Sequence, residues 1–324
     1  MTRNRNQKRF PVRHVDIRED AGQRIDNFLK RELKKVPKSR VYRMLRRGEV
    51  RVNGGRVKPT YRLRAGDSVR IPPVFIDDTA SVGSLPDALL ARLERAITYE
   101  DDELMVLDKP AGIAVHGGSG VSFGVIEALR RLRPTESLEL AHRLDRDTSG
   151  CLMIAKSRGV LLELHQALRD RLVRKRYAVL VFGTWPKRLR TIRLPLHRYV
   201  VASGERRVRV ASVGKPSRTD VQIVTQGARA TWINAHLHTG RTHQIRVHTF
   251  ASGHGVVGDD KYGLPDNREL AERLEIRRLC LHAELIILPF RHSTLRFECP
   301  IPEEFLSSWE ALDADSMQTP SPAR

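Results

Sequence analysis

Acidic residues are scarce in this chain, and so are cysteines, aromatic residues and long apolar runs. Three cysteines, at 151, 280 and 299, are too few and too far apart for a disulfide framework, and no C-x-x-C pair suggests zinc. They read as small apolar residues of a reducing compartment, which points to the cytoplasm. No apolar stretch approaches the roughly 20 residues of a membrane-spanning helix. The basic N-terminus lacks the apolar segment of a secretory signal. There is no Gly-x-x-x-x-Gly-Lys-Ser/Thr string to hold a nucleotide, and Gly117-Gly118 alone is a weak phosphate cradle. No repeat or coiled-coil pattern is present, so a monomer is expected. Hydrophobic residues still make up 40% of 324 residues, enough for a sizeable core and two domains.

The shortage of acid leaves Lys+Arg 58 facing Asp+Glu 38, a net charge of +20 and a pI near 10.6. Such a field gathers polyanions, nucleic acid before acidic membrane. Residues 1–73 alone hold 22 Lys+Arg against 7 Asp+Glu, so most of the excess lies in the first quarter of the chain. Composition divides the rest. Residues 1–15 read as a basic flexible arm and 16–73 as a small basic module. Residues 74–96 read as a linker, 97–310 as the main domain and 311–324 as a polar, disordered tail.

In the basic module, Ile25, Phe28, Leu29 and Leu33 recur at helical spacing, and Pro37 breaks the run. Ser39 is placed to cap a second short helix, with Val41, Met44 and Leu45 inside and Arg40, Arg43, Arg46 and Arg47 outside. Residues 50–58 around Asn53-Gly54 read as a hairpin, and Gly66-Asp67 turns the chain into a strand at 68–71. Arg24-Ile25-Asp26, Ser39-Arg40, Gly48-Glu49-Val50, Val52-Asn53-Gly54 and Ala65-Gly66-Asp67 resemble, in order and spacing, the S-four-type RNA-binding domain of a small-subunit ribosomal protein. That resemblance implies phosphate contacts for Arg40, Arg43, Arg46 and Arg47. Taken singly, each arginine is a solvated helix face; the cluster is what points to a polyanion.

The middle of the chain carries His142-Arg143-Leu144-Asp145-Arg146-Asp147-Thr148-Ser149-Gly150, a charged loop running into an apolar strand at 151–155. A rigid strand feeding a charged loop is how scaffolds present reactive groups, although an ion-paired surface turn is the blander reading. Strands are expected at 97–99 and 104–107, at 174–181 with Tyr177, Val179 and Val181 on one face, and at 232–237. Residues 279–288 and 293–297 are expected to finish the sheet. Helices are expected at 89–96, 122–131 and 160–168. A further helix, capped by Thr242 and stopped by Gly253, looks buried, so Arg246 within it needs a partner for its charge. Histidines 236, 238, 243 and 248 do not make a metal site: Arg241 and Arg246 lie among them, and no acidic residue occurs between 221 and 258. Strands follow one another without βαβ alternation, which argues against a doubly wound sheet and for an α+β domain.

Four strings appear in one order: Lys109-Pro110-Ala111-Gly112, His142 to Gly150, Arg174-Lys175-Arg176-Tyr177, and Gly240-Arg241-Thr242-His243-Gln244-Ile245-Arg246-Val247-His248 with Gly258-Asp259 after it. Together they resemble the RluA/RluC-type pseudouridine synthases, and Val115 to Ile126 is similar to the RluC branch. The resemblance spans about residues 20–305. It implies an α+β catalytic domain with a long, mixed, mostly antiparallel bent β-sheet flanked by helices and loops, beside the small α+β RNA-binding domain. It implies isomerisation of uridine to pseudouridine in 23S (large-subunit) ribosomal RNA, with no metal, redox or nucleotide cofactor. Asp145 would be the catalytic carboxylate, as nucleophile at C1′ or as base on the sugar. Arg246 would pair with it, and Tyr177 would stack on the uracil and help remove the C5 proton. His142, Arg143 and Arg146 would shape the loop or contact RNA, as would Arg241 and His243. The competing expectation is a non-catalytic RNA-binding ribosome assembly factor.

Removing residues 1–73 is expected to weaken RNA affinity and flatten its salt dependence, because most of the excess charge goes with them. Binding titrations across a salt series measure this; an unchanged slope would place the phosphate grip elsewhere.

Overall fold

The computed structural model describes residues 7–33, 36, 38–77, 85–117, 123–202 and 204–318. The helix break expected at Pro37, the ends of the chain before 7 and after 318, and residues 78–84 of the expected 74–96 linker lie outside the described residues. The chain divides into two compact units, Met1–Ser84 and Leu85–Arg324.

In the first unit β1 (Gln7–Phe10) is followed by β2 (Arg13–Asp16), α1 (Ile25–Glu32), α2 (Lys38–Arg47), β3 (Arg51–Val52), β4 (Ser68–Ile71) and β5 (Val74–Asp77). Strands β2, β4 and β3 form one antiparallel sheet, and β1 pairs with β5. Residues 7–10 and 13–15, expected within a flexible arm of 1–15, therefore lie in strands. The small unit also reaches past 73, because β5 supplies the partner of β1. The amphipathic spacing read from the sequence closes the core: Ile25, Phe28, Leu29, Val41 and Met44 are fully buried with Ile17 and Val69. Asn53 and Gly54 take positive φ as expected of the tight turn. The second strand of that hairpin does not form; β3 pairs with β4 instead. Helix α2 starts at Lys38, so Ser39 lies inside its first turn rather than capping it.

The second unit contains α3 (Asp87–Arg95), β6 (Ile97–Glu100), β7 (Leu104–Lys109), α4 (Val125–Leu132), β8 (Glu139–Leu140), β9 (Ser149–Ala155), α5 (Arg158–Arg169), β10 (Arg174–Phe182), β11 (Thr191–Ile192), β12 (Leu196–Val200), β13 (Arg206–Val210), β14 (Thr219–Gln226), β15 (Ala230–Leu237), α6 (Gln244–Ala251), α7 (Pro265–Arg273), β16 (Leu281–Phe290), β17 (Ser293–Glu298) and α8 (Glu303–Gln318). Its main sheet runs β11-β14-β15-β10-β16-β9-β7-β6, with β17 beside β16 and β8 beside β9. Every pairing is antiparallel except β9 with β16. The unit is thus α+β with a mixed, mostly antiparallel sheet. Helix α8 corrects the tail: residues 311–318 continue a helix whose Phe305 and Leu312 pack in the core.

Both faces of the central strands are covered. In β10, Tyr177, Val179 and Val181 enter one apolar cluster and Ala178, Leu180 and Phe182 enter another. Strand β9 does the same with Leu152 and Ile154 against Cys151 and Met153. Near-continuous apolar runs in the sequence correspond to this two-sided burial. Among the described residues no helix is long and apolar enough to cross a membrane.

The parallel contact fixes where the central loop emerges. Ser149 and Gly150 pair with His282 and Ala283. Opposite Tyr177, β16 carries one residue more than β10 between His282 and Leu285, a bulge of the kind that re-aims side chains beside active sites. Gly150 has φ +106°, and a Cβ there would sit 2.3 Å from the Ala283 carbonyl oxygen. Gly150→Ala is expected to cost at least about 2 kcal/mol, read as a lower urea midpoint; an unchanged midpoint would mean that the junction yields to a methyl group.

Candidate active site

The loop between β8 and β9, the start of β10, the end of β15 and the first turn of α6 converge on a cleft of about 470 Å³. Asp145, Tyr177 and Arg246 all line it. So do Arg143, Arg171, Arg174, Lys175, Arg198 and Arg241, and Asp145 is the one lining residue with a carboxylate.

Asp145 is half-buried, and its carboxylate has no ion pair or hydrogen bond among the described residues. Its loop is held from beneath by Lys109. That side chain is fully buried, and its Nζ donates to the carbonyls of Pro110, Ile113 and Arg146 at 2.8, 2.9 and 3.0 Å. Burial pulls the Lys109 amine down to about 7, against the opposing charges of Asp147 and Asp145. Three N–H groups on three carbonyls match an ammonium, so the Lys109-Pro110-Ala111-Gly112 turn locks one end of the loop.

Tyr177 is 7% exposed and belongs to the core, yet its hydroxyl has no partner among the described residues and is not sealed from the cleft. Burial first, then the charge of Asp145, pushes its phenol well above the ordinary value. It therefore stays protonated at neutral pH and is a donor or relay rather than a standing base.

Arg246 is 2% exposed on a helix buried nearly all round. Its Nε and Nη2 bind the two oxygens of Asp259 at 2.6 and 2.5 Å, and Asp260 stands 3.3 Å from Nη2. Burial alone would lower both ends of this pair's ionisation, but the mutual hydrogen bonds and charge hold Arg246 above and Asp259 below their ordinary values. Nη1 is left toward the cleft.

The turn before α6 is held by Gln244. Its Oε1 accepts from the Thr239 hydroxyl and the Arg241 N–H, and its Nε2 donates to the Arg218 carbonyl and the Thr219 hydroxyl.

The small unit and the large one each match a known family model. Residues 103–251 match the RNA pseudouridylate synthase family, and residues 23–69 match the S4 domain. A ribosomal large subunit pseudouridine synthase C from Pasteurella multocida (strain Pm70) is 50% identical over 93% of this chain and 94% of its own length. The protein of that name from Escherichia coli (strain K12) is 50% identical over 88% of this chain and 91% of its own.

The chain belongs to the RNA pseudouridylate synthase family.

The fold agrees. The solved structure of human RNA pseudouridylate synthase domain containing 1 superposes with a TM-score of 0.55 at 26% identity, over 70% of this chain and 96% of that one. Human RNA pseudouridylate synthase domain containing 4 gives 0.58 at 24% identity, over 70% and 96%.

Several expected residue roles change within this pseudouridine synthase. Arg246 was expected to pair with Asp145, but its direct ion pairs are with Asp259 and Asp260; Asp145 acts on it through space. His142 does not line the cleft. Its Nε2 accepts from the Met153 N–H at 3.2 Å and its Nδ1 is sealed from solvent, so it shapes the loop and cannot touch RNA through Nδ1. Arg146 is not among the residues lining the cleft and pairs with Asp147. Arg143, Arg241 and His243 do line the cleft. Thr242 does not cap α6; His243 occupies that position, and Thr242 accepts from Arg198. In the small unit Arg43, Arg46 and Arg47 are exposed, whereas Arg40 is half-buried and paired with Glu49 at 3.4 Å.

Among the described residues the four clustered histidines form no metal-holding group: His236 lines the cleft, and the other three are held by separate partners. His248 is buried between the Ser217 and Thr219 hydroxyls, His238 meets Asp220, and His243 meets Tyr262. Lys109, Asp259 and Tyr262 had no role from sequence. Their signals were the Lys109-Pro110-Ala111-Gly112 string and the Gly258-Asp259 pair, which counted toward the family resemblance as motif positions with no role attached.

Asp259→Asn leaves a buried guanidinium short of its counter-charge and is expected to cost about 3–5 kcal/mol at neutral pH. Because the folded Asp259 value is depressed, the pair's contribution is complete above the ordinary aspartate range. It is lost as pH falls through the lower folded value. The difference between variant and parent should therefore shrink in acid. Denaturant melts at neutral and acid pH test this; equal stability at neutral pH would mean Arg246 has found another anion.

Proposed function

We propose that this pseudouridine synthase isomerises specific uridines in 23S ribosomal RNA, with Asp145 acting at the sugar carbon. The observation that carries the proposal is a single unpaired carboxylate in a cleft whose other charged lining residues are cations, with a tyrosine hydroxyl open to the same space. The cations suit the phosphates that flank an extruded nucleotide, and the cleft is large enough for one base. The names of the most similar relatives support the large ribosomal subunit as the source of the RNA.

The chemistry needs nothing beyond these side chains. The N1–C1′ bond breaks, the uracil turns, the C5–C1′ bond forms, the C5 proton leaves and N1 gains one. Atoms balance without a co-reactant. Both ways of acting at the sugar, attack on C1′ and removal of a sugar proton, use an ionised carboxylate. Asp145 is free of direct pairs while Lys109 and Arg246 place positive charge around it. Tyr177 offers a face for stacking and a protonated hydroxyl for moving the C5 proton on.

Pseudouridine mapping of ribosomal RNA from cells lacking the protein, then complemented, tests this. Specific 23S positions should lose pseudouridine, the parent chain should restore them, and Asp145→Asn should not, its turnover falling by at least about 10³-fold while it still binds RNA. An intact map in the deleted cells would overturn the enzymatic reading and favour a non-catalytic assembly factor.

A further inference from the structure

We propose that His243 is a hydrogen-bond donor to the target nucleotide, its Nε2–H set in place by the Tyr262 hydroxyl. The proposal rests on reading the cleft as a uridine pocket. His243 lines that cleft at the residue before α6 and holds φ at +51°, a left-handed conformation that a histidine adopts at some cost. Its side chain makes no capping bond to the helix, so capping does not account for the conformation. Its Nδ1 instead lies 2.7 Å from the Tyr262 hydroxyl oxygen.

The direction of that bond follows from a count of protons. The Tyr262 oxygen already accepts from the Val208 N–H at 2.9 Å. Tyr262 is 6% exposed, and among the described residues its hydroxyl proton has no acceptor other than Nδ1. A buried hydroxyl proton takes the acceptor available, so the phenol donates to Nδ1. The imidazole is then the Nε2–H tautomer. Nε2 has no partner among the described residues and is not sealed from solvent, so its N–H is open to the cleft.

The surroundings keep this arrangement. Burial pushes the Tyr262 phenol up to about 12, so it remains a donor. Burial also holds the His243 imidazole below its ordinary value, with Asp145 and Asp259 opposing that and Arg246 and Lys261 adding to it. The Arg246 guanidinium lies 5.2 Å from the Tyr262 ring centroid, which ties the ring to the buried ion pair. A neutral ring with a fixed N–H presents one donor and no acceptor. It meets a carbonyl oxygen of uracil and opposes an exocyclic amino group. A phosphate oxygen offers the same acceptor chemistry, and the test below separates the two.

Nitrogen-15 spectra of the histidine-labelled full chain should show His243 protonated at Nε2 and bare at Nδ1, and Tyr262→Phe should lose that signature. With RNA, His243→Leu should lower kcat/KM roughly tenfold, and His243→Gln, which keeps an N–H, should recover part of it. Tyr262→Phe should add little in the His243→Leu background, since it acts through that ring. If the acceptor is on the base, the affinity lost in His243→Leu disappears with RNA carrying an abasic ribose at the target; if it is a phosphate, the loss persists. A proton found on Nδ1, or a folded His243→Leu chain with parental kcat/KM, overturns the proposal. Parental conversion of the same RNA is the control: if the unaltered chain makes no pseudouridine, the function reading fails while the spectra still judge the tautomer.

Discussion

The buried pair of Arg246 and Asp259 governs the geometry of the site. A guanidinium cannot be taken out of water without an anion beside it, and Asp259 supplies both oxygens to it. The same carboxylate accepts the N–H groups of Lys261 and Tyr262, so it also shapes the turn it sits on. Gly258 lets that turn come close: a Cβ there would meet the Arg278 carbonyl oxygen at 1.8 Å. One anion thereby sets helix α6, the 258–263 turn and the tyrosine that reaches His243. It also relieves Asp145 of a structural duty. Two carboxylates divide the work, one holding the cation and the other left open to the cleft.

Electrostatics elsewhere follow the same division. Positive charge is exposed on the arginines of α2 and lines the cleft of the large unit. Where a charge is buried, it is matched: Lys109 by three carbonyls, Arg246 by two aspartates. The cations of the surface lend affinity to any phosphate backbone, and the buried ones give the reactive loop its shape.

Much of this was legible in the chain itself. Apolar periodicity placed α1, α4 and α5, and the four ordered strings located Asp145, Tyr177 and Arg246, which the fold brings to one cleft. The need of Arg246 for a partner was also readable, from a charge in a helix without a polar face. The identity of that partner was not. Asp259 is thirteen residues away with a turn between, and local pattern carries no record of which loop folds back on which helix. Strand β1 was missed for a related reason: it is a short edge whose partner, β5, lies more than sixty residues on, past the supposed domain end. The tail was misread because, of its described residues, Leu312 alone enters the core, and one anchoring residue makes a faint pattern.

The loop bearing Asp145 is gripped on either side of that residue: before it by His142, which accepts the Met153 N–H, and after it by Lys109 on the Arg146 carbonyl and the parallel ladder at Ser149 and Gly150. A loop so held has little conformational freedom left to surrender when substrate arrives. If the cleft takes the target nucleotide as proposed, the distortion of the encounter falls on the nucleic acid, which unstacks a nucleotide to fill it. On the proposed reading of the cleft, a receptor held this way would favour uridines whose own helix holds them loosely.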